Sequence, residues 1–148
     1  MPPATFHVSR PTSAGTDGLD RVALPRLLLV EDDVPVRDSL REALQEEGFR
    51  VVTAANGRDA LGVLRRGPRP DAILLDLMLP VMDGWDFRQE QLRDPALSDI
   101  PVLIVTATGF SAETVRAQFG DVGLFPKPIP FLDLLAAIDR ICFPSSAD

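Results

Sequence analysis

One cysteine, one histidine and a deficit of positive charge set the first limits on what this 148-residue chain does. A lone cysteine, Cys142, closes no internal disulfide, and nothing in the chain has zinc-ligand spacing. Set in an apolar stretch, Cys142 reads as a small buried hydrophobe. Lys and Arg number 15 against 22 Asp and Glu, a formal net charge of −7. That balance argues against a nucleic-acid binder, which needs a basic surface to neutralise phosphates. No apolar run reaches the roughly 20 residues of a membrane span. The N-terminus also lacks the charged-then-apolar layout of a secretory signal. A cytoplasmic protein with neither membrane nor nucleic acid among its partners is the expectation.

What is present is an abrupt change of pattern. Residues 1–25 are rich in Pro, Ser, Thr, Gly and Ala without apolar periodicity, a composition that buries too little surface to offset its ordering entropy. They read as a flexible N-terminal extension, and His7 within them as a solvated bystander. Residues 26–143 form the foldable domain, and 144–148 a short tail with no output domain after it. Leu27–Val30, Val51–Ala54, Ile73–Leu75 and Val102–Val105 have the length and composition of strands. Val36, Leu40, Ala43 and Leu44 share one helical face, and Gly48 closes that helix. Asn56 is placed to cap a helix running to Gly67, a third covers Gly84 to Leu92, and Ser111 caps a fourth ending at Gly120. Pro130 starts the last helix, which buries Leu134, Leu135, Ile138 and Ile141. A weak strand from Val122 to Pro126 belongs at a sheet edge, because proline cannot donate to a ladder. Such alternation makes an α/β fold with a parallel sheet covered on both faces.

In parallel sheets the ligand site forms at the carboxyl ends of the strands. The first run ends in Glu31-Asp32-Asp33, the third in Asp76, the fourth in Thr106, and the fifth is followed by Lys127-Pro128. Two carboxylates ~4 Å apart repel by roughly 4 kcal/mol at an effective dielectric near 20, so a cation is wanted among them. Oxygen-only donors with room for water suit magnesium. Lys127 adds a positive charge and Thr106 a hydroxyl donor, a set that fits the oxygens of a phosphoryl group on a carboxylate. Each part taken singly also reads as a helix cap or strand residue, and Asp33 in particular as the cap of the first helix. The weight lies in the conjunction.

These residues resemble the receiver domain of two-component response regulators over about Arg26 to Phe143. The matching segments are Leu27 to Asp33, Asp71 to Pro80 with Met82-Asp83-Gly84, Ile100 to Ala107, and Lys127-Pro128-Ile129. The resemblance implies a flavodoxin-like five-stranded parallel sheet of order 2-1-3-4-5 with helices on both faces. It makes Asp76 the phosphoacceptor, with Thr106 and Lys127 on the phosphoryl group. Asp32, Asp76, the Met78 carbonyl and, through water, Glu31 would hold Mg2+, and the Lys127–Pro128 bond would be cis. Ala107 leaves the site open. The partners implied are a histidine kinase or histidine phosphotransfer protein and a downstream protein target. The chain is then not an enzyme, beyond any self-phosphatase activity.

Two departures concern readout. The aromatic that receivers carry three residues before the lysine is Leu124 here, and Phe125 comes one residue later, pointing to the opposite face. Phe125 is therefore expected in the core. The stretch from Thr106 to Lys127 is also one residue short, which suggests a clipped fourth helix. Met78 and Thr108 occupy the positions that influence how water attacks the acyl phosphate; neither orients water well, so self-dephosphorylation should be slow. Trp85 is assigned to packing. Two other readings compete. A phosphorylation-independent interaction module draws support from Leu124, and a phosphatase of the haloacid dehalogenase type lacks the second Asp it needs where Met78 stands.

Overall fold

The apolar runs become the strands of a parallel sheet. The computed structural model describes residues 24–107, 111–120 and 122–144. In it β1 (Arg26–Val30), β2 (Arg50–Ala54), β3 (Ala72–Leu75), β4 (Val102–Thr106) and β5 (Leu124–Pro126) alternate with five helices. These are α1 (Val34–Glu46), α2 (Gly57–Arg66), α3 (Gly84–Arg93), α4 (Ala112–Phe119) and α5 (Phe131–Cys142). The sheet order is β2-β1-β3-β4-β5, with every neighbouring pair parallel. The resemblance implied this flavodoxin-like order.

β1, β3 and β4 are buried almost throughout because both sheet faces are covered. Side chains alternate between the faces. Leu28, Val30, Ile73, Leu75 and Ile104 pack on α2, α3 and α4 through Leu61, Leu64, Phe87, Val115 and Phe119. Leu27, Leu29, Leu74, Leu103 and Val105 meet α1 and α5 through Leu40, Leu44, Leu134, Leu135 and Ile138. Leu124 joins the first cluster and Phe125 the second, so the one-residue offset does reverse the face. Phe125 is half-buried. Cys142 packs on the α1–α5 side, where burial, followed by the charges of Asp71 and Asp139, pushes its thiol up to about 12.

The helix ends follow their capping residues. Asn56 accepts the Asp59 N–H at 2.8 Å, and Ser111 accepts that of Thr114 at 3.0 Å. Gly48 follows α1 with φ +100°, a conformation glycine adopts without a Cβ penalty. Three expectations shift. Pro130 is the N-cap of α5 rather than its first helical residue, and Ile141 is only partly buried. β5 begins at Leu124, because the Val122 N–H turns back to the Gly120 carbonyl at 2.9 Å instead of pairing with β4.

Between α3 and α4 lies a brace that no sequence pattern announced. The Trp85 and Phe119 rings are 5.5 Å apart, and the Arg88 guanidinium sits 5.4 Å above the Phe119 ring while donating to the Phe119 carbonyl at 3.1 Å. Arg88 also donates to Gln91, whose buried amide donates to the Leu97 and Ile100 carbonyls at 2.9 and 3.1 Å. At eight residues α4 is the shortest helix among the described residues, in keeping with the clipped segment. None of the described helices is long and apolar enough to cross a membrane.

Candidate functional site

The ladder carries its order past the last strand residues. The Glu31 N–H donates to the Ala54 carbonyl at 3.0 Å, Asp76 to Val30 at 3.1 Å, and Lys127 to Thr106 at 3.0 Å. Three side chains from different loops are thus held at one rim with Thr106, the last residue of β4. Burial singles them out. Four polar or charged residues are buried among those described: Glu31, Asp76, Gln91 and Thr106. Gln91 is accounted for by the two carbonyls it satisfies; the other three stand at this rim, where burial of charge needs compensation.

Asp76 supplies the centre. Its Oδ1 accepts from the Thr106 hydroxyl at 3.1 Å and the Met78 N–H at 3.0 Å, and its Oδ2 faces the Lys127 ammonium at 2.9 Å. Lys127 also pairs with Glu31 Oε1 at 2.6 Å. Glu31 Oε2 accepts the Asp33 N–H at 3.0 Å, and Arg37 donates to the Glu31 carbonyl at 3.0 Å. Burial pushes the Glu31 carboxyl above its ordinary value, even against the hydrogen bonds from Lys127 and the Asp33 N–H. Burial pulls the Lys127 amine down, but its bonds to Glu31 and Asp76 outweigh that and leave it above the usual lysine value.

Glu31, Asp32 and Asp76 each offer a carboxylate oxygen, all within 4.8 Å of one another. An all-oxygen set with the exposed Asp32 as one member fits a hard divalent ion that keeps part of its water, as magnesium does. Asp33 does not join it; its Oδ1 caps α1 through the Val36 N–H at 3.1 Å. Met78 lies beside the set by its main chain, its side chain exposed. The Lys127–Pro128 peptide is cis and Ala107 is exposed at the rim, whereas Thr108 lies outside the described residues.

Sequence reasoning missed the role of Arg37 and the tightness of Gly84. A Cβ on Gly84 would lie 2.7 Å from the Asp76 carbonyl oxygen and 2.8 Å from Leu77 Cα, so α3 packs directly on the backbone of the central acid. Gly84→Ala is expected to cost about 2–3 kcal/mol, and to lower the melting temperature by roughly 10 °C. Gly48→Ala meets no atom within 4 Å and bears only the cost of its φ of +100°, about 1 kcal/mol, so it should lose less. Equal melting shifts would remove the close-approach argument.

Residues 27–139 match the model of the response regulator receiver domain. Response regulator MprA of Mycolicibacterium vanbaalenii is 40% identical over 112 residues, covering 75% of this chain and 47% of that protein. The chain spans about half the length of the curated relatives it matches. The chemotaxis response regulator CheY4 of Vibrio cholerae superposes with a TM-score of 0.71 at 30% identity, over 80% of this chain and 99% of that one. The non-phosphorylated HemR receiver domain of Leptospira biflexa gives 0.69 at 30% identity, over 82% and 96%.

Proposed function

This chain belongs to the response regulator receiver family, whose domains are phosphoacceptors in two-component signalling, and from that premise we propose that Asp76 is its acceptor. In this reading Thr106 and Lys127 bind the incoming phosphoryl oxygens. Glu31, Asp32, Asp76 and the Met78 carbonyl would hold Mg2+, which when bound neutralises charge on the transferring group. The observation that carries the reading is the convergence on Asp76 of a hydroxyl, a main-chain N–H and an ammonium from β4, its own loop and the β5 end.

The donor is a phosphohistidine on a histidine kinase or phosphotransfer protein. An Asp76 carboxylate oxygen forms the new bond to phosphorus as the phosphorus–nitrogen bond breaks. The electron pair of that bond returns to the imidazole, which takes a proton. Thr106 and Lys127 lie where charge builds on the phosphoryl oxygens. The domain, about residues 26–143, then passes its state on by contact with a protein target. Incubating the full chain with acetyl phosphate and magnesium tests the reading: intact mass should show one added phosphoryl group, labile to hydroxylamine as an acyl phosphate is. No addition, or addition elsewhere, overturns it.

Loss of the phosphoryl group by hydrolysis is slow in this proposal, because the exposed thioether of Met78 cannot orient a water at the acyl phosphate. Met78→Asn should speed decay about fivefold by supplying an amide for that water. Decay followed by intact mass after donor removal decides, and equal lifetimes defeat it.

A further inference from the structure

Asp32 is the member of the acidic set that no side chain holds. Its carboxylate is exposed and accepts no hydrogen bond from the described residues, yet one of its oxygens lies within 4.8 Å of oxygens of Glu31 and Asp76. Its direction is therefore set by its main chain, and both peptides that flank it are pinned. The following one is held by its N–H, which Asp33 donates to Glu31 Oε2 at 3.0 Å. The preceding one is held by its carbonyl, that of Glu31, which accepts from Arg37 Nη1 at 3.0 Å.

Arg37 fills a place that the sheet leaves open. The Glu31 N–H continues the β1–β2 ladder by donating to the Ala54 carbonyl. A parallel ladder would next offer the Glu31 carbonyl the Asn56 N–H, but Asn56 leaves the sheet as the N-cap of α2. Glu31 is buried, so its carbonyl needs another donor. Arg37 supplies it from the first turn of α1, which is itself tied to the acidic loop. The Arg37 N–H donates to the Asp33 carbonyl at 2.8 Å, and the Asp33 side chain caps the helix. Loop and helix thus close a ring around Asp32. Among the described residues the Arg37 guanidinium enters no ion pair. Bonded to main chain, it occupies no carboxylate oxygen, unlike Lys127.

We propose that Arg37 is a positioning residue for the divalent ion: by fixing the peptide ahead of Asp32, it holds that carboxylate toward Glu31 and Asp76. The proposal rests on those three acids being the magnesium donors. Groups that orient metal ligands from behind are worth about 10–100-fold in affinity. Two roles for Arg37 predict opposite signs. As a bare positive charge it repels a divalent cation, so its removal would tighten binding. As the holder of the Glu31 carbonyl it organises the donors, and its removal weakens binding.

The test is calorimetric titration of the full, unphosphorylated chain with magnesium, for native protein, Arg37→Met, Arg37→Gln and Arg41→Met. Both Arg37 variants should bind magnesium about tenfold more weakly. The magnesium concentration that half-saturates acetyl phosphate labelling should rise by the same factor, with the rate at saturating magnesium kept within about twofold. Arg41, one turn further along α1 and paired with Asp38 at 3.5 Å, is the control, and Arg41→Met should bind as the native chain does. Thermal melts in chelator show which Arg37 variant is folded at the titration temperature. Native or tighter binding in a folded Arg37 variant overturns the proposal. Equal weakening in Arg41→Met also overturns it, since the effect would then belong to the helix at large. Native affinity in Asp32→Asn, by contrast, counts against the donor set itself.

Discussion

Asp76→Asn takes up no phosphoryl group from acetyl phosphate and magnesium, yet folds and melts at or above the native temperature. Both halves of that result follow from the site. The amide oxygen carries no charge and its electrons are delocalised into the C–N bond, so it is no nucleophile for phosphorus. Its shape is nonetheless that of the carboxylate. The oxygen at the Oδ1 position still accepts from Thr106 and Met78. The amide nitrogen loses the Lys127 pairing at 2.9 Å, but Lys127 keeps Glu31 at 2.6 Å. One charge fewer among three carboxylates within 4.8 Å also relieves repulsion, a term of roughly 4 kcal/mol for a pair at ~4 Å near dielectric 20. Intact mass and a thermal melt on the same sample separate lost chemistry from lost structure. A phosphoryl adduct on the variant would place the acceptor elsewhere.

The second large effect comes from removing the site's own cation. Lys127→Met leaves Glu31 and Asp76, side chains 3% and 5% exposed, without the ammonium both face. Breaking a buried pair from one side costs about 3 kcal/mol. The rate of acetyl phosphate labelling should fall about 100-fold as well, since a charge aimed at the phosphoryl oxygens is gone. The stability loss depends on pH at both ends. Glu31 titrates above its ordinary value in the fold, so its contribution is fully present below the unfolded value of 4.5 and is lost as pH rises through the folded one. Lys127 is also raised; its contribution is present below 10.5 and disappears as pH climbs through its folded value. The gap between native and variant melting temperatures in chelator should therefore be widest near neutrality, narrowing toward acid as Glu31 is protonated and toward strong alkali as Lys127 is discharged. Magnesium should close part of the gap, because the same carboxylates are the candidate donors. A gap independent of pH would mean that the three groups do not interact as their distances indicate.

The sheet and the rim were legible in the sequence because both rest on patterns that tertiary context reinforces. β1 and β3 are unbroken apolar runs followed at once by acids, and their burial on both faces is what such runs require. Asn56 and Ser111 announced helix starts through their side-chain chemistry. Other features carried no such signal. The Glu31–Lys127 pair joins residues 96 positions apart by way of sheet order, and the sequence of each loop is silent about it. Arg88 reads as a charge on a solvated helix face until Phe119 is brought against it. Val81, with φ +67°, is the sharpest miss, since a left-handed turn is sought at Gly, Asn or Asp and not at a β-branched residue. Where local preference and observed backbone disagree, the site lies only a few residues away, and the disagreement is itself informative.

The Arg88 brace fixes what kind of motion is open to α4. Its final residue is fastened through both ring and carbonyl and Val115 is buried in the core, whereas the residues ahead of Val115 are exposed and held by the Ser111 cap. A rod about 12 Å long, held along its second half and exposed at its start, tilts rather than slides. A rearrangement that begins at Thr106 would accordingly be magnified at the Ser111 end and stilled at Phe119, giving a recognising surface a change of angle instead of a change of register.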